Sequence, residues 1–260
     1  MAERKNTSWS GVAGWYKDHL FGDDPTYHRT VILPNLTRLL GIKKDVRVLD
    51  LACGPGFFTR EFVRQGALVV GVDISEELLV MARQMLAEDG AGPAKRAEFH
   101  ASPSHDLKFL ADGQMDAITV VTAIQNIERV QDTFRECARV LRPGGRLFVV
   151  MNHPCFRVLK NSSWGWDKDV QYRRIDAYLT EAKVKVQAHP GKNPDQVTIS
   201  FHRPLQYYFK SLAKAGLCVS AVEEWTSDRI SDSGPRAPAE NRARKEIPLF
   251  LCLVAVKHGV

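Results

Sequence analysis

The stretch from residue 46 to residue 73 constrains this chain most. Val46-Arg47-Val48-Leu49-Asp50-Leu51 is a short apolar strand, and the turn Cys53-Gly54-Pro55-Gly56 follows it. A helical run from about Phe57 to Gln65 stops at Gly66, and Leu68-Val69-Val70-Gly71-Val72-Asp73 forms a second strand. Apolar strands alternating with helices in this way belong to a parallel sheet covered on both faces.

The same rhythm continues. Ser75 is a good N-cap, Glu76 and Glu77 suit the positive end of the helix dipole, and Leu78, Leu79, Ala82 and Met85 share one face. Residues 97–101 and 116–122 read as the third and fourth strands. A helix over 130–141 stops at Arg142-Pro143-Gly144-Gly145, and 147–151 is the fifth strand. Residues 152–202 change character, with Trp164 and Trp166 and two alternating runs at 172–186 and 196–201. They predict a cap inserted after the fifth strand. A helix from Pro204 to Ala215 and strands at 217–224 and 249–256 complete the chain. Between those strands, 227–246 reads as a polar, proline-containing loop, and loops this long are usually functional or disordered. Residues 1–45 predict a helical extension or lid ahead of a domain over 46–260. Its helical run opens at Pro25, is kinked or broken at Pro34 and ends at Gly41.

Composition enters mainly through what it excludes. The 260 residues suit one α/β domain with an insertion, and no apolar run is long enough to span a bilayer. The N-terminus lacks the apolar stretch of a secretory signal, so a cytoplasmic location is the default expectation. The five cysteines are scattered without a CxxC pair, which disfavours disulfides and structural zinc; no metal is expected. A net charge of +6 suits an anionic substrate but does not establish nucleic-acid binding, and a solvated basic surface is the simpler account.

The glycine turn lets backbone approach a ligand closely. Asp73 ends the second strand 17 residues beyond Gly56. A carboxylate there is placed to accept hydrogen bonds from both hydroxyls of an adenosine ribose. A dinucleotide fingerprint asks for a third glycine where Thr59 stands. Asp50 would also repel a pyrophosphate, whereas it tolerates the sulfonium and ammonium of S-adenosylmethionine. The charge pattern favours the methyl donor.

Val48-Leu49-Asp50-Leu51-Ala52-Cys53-Gly54-Pro55-Gly56, Gly71-Val72-Asp73-Ile74-Ser75 and Val140-Leu141-Arg142-Pro143-Gly144-Gly145 resemble the motifs of class I S-adenosylmethionine-dependent methyltransferases that act on small molecules such as quinone precursors. The resemblance implies a Rossmann-like, mostly parallel seven-stranded sheet whose last strand is antiparallel. It implies that Asp50 and the backbone of Ala52, Cys53, Gly54, Pro55 and Gly56 hold the methionine part. It puts Asp73 at the ribose, Ser102 at the place of the adenine contact, and Thr122, Ala123 and Gln125 at the cofactor floor, with Ile74 and Pro103 also among the cofactor-binding residues. Tyr16, Tyr27 and His28 would close over the donor from the extension. Two positions depart from the family pattern: Ala52 replaces the first glycine, and Ser102 stands where an Asp usually meets the adenine amine.

Methyl transfer from a sulfonium relies on positioning and needs a base only for a nucleophile that holds its proton. His153 is the candidate base, with a histidine closing the strand end as the structural reading. Tyr27, His28, Asn152, Cys155, Arg157, Trp164, Trp166, Tyr172, His202 and Tyr207 are candidates for the acceptor pocket, or for packing of the cap. Cys155 as a covalent nucleophile is disfavoured, because Thr122-Ala123-Ile124-Gln125-Asn126 lacks the Pro-Cys of the RNA cytosine-C5 enzymes. The leading reading is methyl transfer to an O, N or C atom of a small molecule. An RNA methyltransferase and a non-catalytic adenosylmethionine-binding protein are the rivals.

Overall fold

The computed structural model describes residues 14, 20–22, 25–189 and 193–258. Its central element is a seven-stranded sheet. β1 (Arg47–Leu51) pairs in parallel with β2 (Leu68–Asp73) on one side and β4 (Met115–Val121) on the other. β2 continues to β3 (Ala97–Ala101), and β4 to β5 (Leu141–Asn152), again in parallel. β11 (Phe250–Lys257) lies antiparallel between β5 and β10 (Leu217–Trp225). The order β10-β11-β5-β4-β1-β2-β3 reverses direction between β1 and β4. In an open sheet of this kind, that reversal leaves a crevice beyond the carboxyl ends of the strands.

Period-two alternation splits the core. Leu147, Val149 and Met151 of β5 join Phe134 of α5 (Val130–Val140) and Tyr208 and Leu212 of α6 (Leu205–Lys214). Phe148 and Val150 point the other way, to Phe58 and Phe62 of α2 (Phe57–Arg64) and Leu36 and Leu40 of α1 (Leu33–Leu40). α3 (Glu76–Ala87) starts at Ser75, whose Oγ accepts from Leu78 N at 3.3 Å, as the sequence led one to expect. A short α4 (Ala91–Ala94) precedes β3. The sheet and its final antiparallel strand match the sequence reading.

Four details differ from it. The break expected at Pro34 is a π-turn, His28–Ile32, that runs directly into α1; the wider turn accommodates a ring that cannot donate to the preceding turn. β5 begins at Leu141 rather than 147, because Arg142–Gly145 stays in the strand as an irregularity in its pairing with β4. The run 172–186 is not continuous. It is divided between two antiparallel hairpins, β6 (Ser162–Asp167) with β7 (Val170–Ile175), and β8 (Ala182–His189) with β9 (Asn193–His202). The chain turns between them at Ala177, with φ of +51° and a bond from Thr180 N to its carbonyl. The expected loop 227–246 contains α7 (Ala237–Glu246), in which Pro238 sits in the first turn and alanines and charged helix formers follow.

Candidate active site

Four loops at the carboxyl ends of β1, β2, β3 and β4 form the site. Ala52, Gly54 and Thr122 all line a cavity of about 340 Å³, and all have positive φ (+59°, +56° and +51°). A positive φ is costly for Ala and more so for β-branched Thr, and such strain gathers where backbone must face a ligand. Gly56 closes the first loop at φ +81°, where a Cβ would stand 2.8 Å from Ala82 Cβ and 3.2 Å from Ala82 Cα. Only glycine lets this turn sit on α3.

Asp73 forms one wall. Its Oδ2 accepts from Gly54 N at 2.9 Å and its Oδ1 from Ser75 N at 3.0 Å, so the backbone of two loops fixes the carboxylate. Burial pushes its pKa up, against those bonds. Asp50 lies outside the cavity lining. Its Oδ2 accepts from Thr59 Oγ1 at 2.6 Å and its Oδ1 from Thr119 Oγ1 at 3.0 Å. Burial raises its pKa to about 6 despite these bonds, and the Asp73 charge adds to the rise. Two buried carboxylates give the crevice a negative field, which favours a cation and opposes a pyrophosphate.

Of the donor candidates, Ala52, Gly54, Asp73, Ile74, Ser102, Pro103, Thr122 and Ala123 are brought together around the cavity. Asp50, Cys53, Pro55, Gly56 and Gln125 support it without lining it. Gln125 is bound twice to the Asn152 backbone, at 3.1 Å each way. Ser102 Oγ donates to the Asp106 carbonyl at 2.6 Å, which leaves its lone pairs as acceptors. Tyr16 lies outside the described residues. The sequence reading did not assign Leu78, Asn126, Ile127, Glu128 and Arg129 to the wall. Leu78 was legible only as a core position of α3, and the others belong to the 3₁₀ turn Ile124–Asn126 and its exit.

None of the acceptor candidates lines this cavity. His28 shares a 3.3 Å hydrogen bond with Thr122 Oγ1, and Tyr27 OH lies 2.8 Å from Ser227 Oγ. His153 is buried at the end of β5. Its Nε2 lies 2.6 Å from Glu224 Oε1 and its Nδ1 accepts from Cys155 N at 3.2 Å, so both ring nitrogens are engaged. Burial lowers its pKa, opposed by Glu224. Cys155 Sγ donates to Tyr178 OH at 3.3 Å, and His202 Nε2 meets the Tyr178 carbonyl at 2.7 Å. Arg157 and Arg173 both approach the Trp164 ring, while Arg236, just before α7, lies over Trp166. Tyr172 covers Gly165 across the β6–β7 pair, and Tyr207 packs on Tyr208 beneath Arg203.

Residues 49–149 match the family model described as a methyltransferase domain. Over 102 residues the chain is 31% identical to the ubiquinone biosynthesis O-methyltransferase of Aromatoleum aromaticum, covering 39% of this chain and 42% of that protein. Over 120 residues it is 37% identical to the demethylmenaquinone methyltransferase of Tropheryma whipplei, covering 45% and 46%. The chain therefore matches less than half the length of these relatives. Among solved structures, an S-adenosylmethionine-dependent methyltransferase from Mesorhizobium loti superposes with a TM-score of 0.68 at 25% identity, over 86% of this chain and 96% of that one.

Proposed function

We propose that this chain, which belongs to the class I S-adenosylmethionine-dependent methyltransferases, transfers a methyl group from S-adenosylmethionine to a small-molecule acceptor. The observation that carries the reading is Asp73: a buried carboxylate, fixed by Gly54 N and Ser75 N, on the wall of a cavity whose backbone is strained at Ala52 and Thr122. The cavity volume falls within the roughly 300–1,000 Å³ of small-molecule sites. The residues fit the donor. Asp73 offers acceptors for a ribose diol, Ser102 and the Pro103 backbone an edge for adenine, and the Ala52–Gly54 turn a cradle for the methionine part. The field of Asp50 and Asp73 suits positive charge.

S-adenosylmethionine supplies a methyl group already activated on a sulfonium. The protein's part is then to orient the two reactants and exclude water, which in well-oriented systems is worth roughly 7–11 kcal/mol. The N-terminal extension over 1–45 acts in this reading as a lid, with His28 against Thr122 as its inner contact. His153 serves at the end of β5, holding Glu224 and the Cys155 backbone in place. A cytoplasmic location belongs to the same reading; among the described residues no helix is long and apolar enough to cross a membrane.

The test is calorimetric titration with S-adenosylmethionine, followed by incubation with methyl-labelled donor and a fractionated small-molecule extract. The expected result is donor binding and label in a low-mass product. Label in RNA alone would favour an RNA methyltransferase, binding without transfer a non-catalytic protein, and absence of donor binding would overturn the assignment.

A further inference from the structure

Several arginines in the sheet domain end on carboxylates: Arg60 on Asp89 at 2.6 Å, Arg96 on Asp45 at 2.5 Å and Arg139 on Asp112 at 2.7 Å. Arg157 and Arg173 differ. Both are half-buried, and no carboxylate among the described residues acts on either. Their Cζ atoms stand 5.5 and 5.1 Å from the centre of the same Trp164 ring. Arg173 is tethered by Nε to the Phe156 carbonyl at 2.9 Å and by Nη2 to Ser162 Oγ at 2.7 Å. Among the described residues Arg157 has no such tether, and its Nε is buried without an acceptor there. Burial holds both guanidinium groups below their ordinary range, and the Arg173 charge adds to the effect on Arg157. A desolvated charge of this kind is costly until an anion completes it.

A short chain of neighbours links the pair to the donor crevice. Arg157 follows the end of β5 by five residues, and the Tyr27 side chain is a near neighbour of it. Tyr27 adjoins His28, which reaches cavity-lining Thr122. A guanidinium presents a planar fork that matches carboxylate and phosphate oxygens. We infer that Arg157, supported by Arg173 and Trp164, receives a carboxylate or phosphate group of the acceptor, so that the substrate class is an anionic small molecule. The acceptor role rests on the methyl-transfer reading above; the anion site itself rests on this geometry.

The full chain, with and without S-adenosylhomocysteine, is titrated with benzoate, phenyl phosphate and neutral benzamide by ligand-observed NMR. At least one anion should bind tenfold or more tightly than benzamide, and which one does so distinguishes carboxylate from phosphate. Arg157→Gln should bring the anions to within twofold of benzamide, and Arg157→Lys should lie between. Arg173→Gln should weaken the anion threefold or more, and it decides the matter if the Arg157 variants do not fold. Equal binding of anion and amide, no binding of any probe, or an unchanged preference in Arg157→Gln would overturn the inference. So would RNA binding at low salt that Arg157→Gln abolishes while the small anions are unaffected. Calorimetry with S-adenosylhomocysteine separates the two readings: its affinity should be the same in Arg157→Gln and wild type. Its failure to bind the wild type would overturn methyl transfer and leave the anion result standing.

Discussion

In the donor crevice, main chain grips the carboxylate on the wall; in the cap, arginines and aromatic side chains meet one another. Asp73 is gripped by the N–H groups of Gly54 and Ser75, and the loops bearing them leave the ends of parallel strands. The cap hairpins β6–β7 and β8–β9 are separate from the main sheet, and their contacts are of another kind: Arg157 and Arg173 on Trp164, Arg236 on Trp166, Cys155 on Tyr178. A backbone-built site is rigid and tolerates little change. A side-chain-built site can be refitted without disturbing the fold, which suits the half that must match a particular acceptor.

Five measurements break or sharpen that contrast. Asp73→Ala should have the largest effect. Two charge-assisted hydrogen bonds at roughly 1.5–3 kcal/mol each predict a loss of donor affinity of about 100- to 10,000-fold by calorimetry. Retained affinity would remove the ribose assignment. Gly56→Ala should destabilise the fold by about 2–4 kcal/mol in urea unfolding, since the new Cβ meets Ala82 at 2.8 Å and must also adopt φ +81°.

Asp50 gives a pH signature. Its folded pKa of about 6 lies above the ordinary 3.8, so its contribution to stability is fully present below about 3.8 and is lost as pH rises through about 6. Wild type should therefore lose up to about 3 kcal/mol relative to Asp50→Asn between pH 4 and pH 7.5. A constant difference in urea midpoint across that range would refute this. Ser75→Ala, which removes the cap of α3, should cost about 1 kcal/mol. The smallest effect belongs to the cap. A Cβ at Gly165 would meet the Tyr172 ring at 2.5 Å, closer than the clash at Gly56, yet that ring is 44% exposed and free to swing away. Gly165→Ala should stay within about 1 kcal/mol. If it proves as costly as Gly56→Ala, the proposed contrast between the halves fails.

The legible part of the sequence follows the same division. The strands through β5, the Ser75 cap and the turn at Gly56 could be read because continuous apolar runs, capping and left-handed φ each restrict residue type locally. The strain at Thr122 was not legible, since nothing in Thr122-Ala123 announces a positive φ. The division of 172–186 into two hairpins was hidden because the turn at Ala177 carries no glycine there. α7 was missed because a short polar helix without a strong apolar face resembles a loop.

By itself the sequence determined the strand segments through β5, the donor turn and the acidic end of β2, because these depend on neighbours along the chain. Only the tertiary structure decided that Asp50 lies beneath the cavity bound to Thr59 and Thr119, that His153 is occupied by Glu224, and that Arg157 and Arg173 meet at Trp164. Those pairings join residues far apart in the chain, and which partner a side chain finds is set by how the elements pack, not by its local spacing.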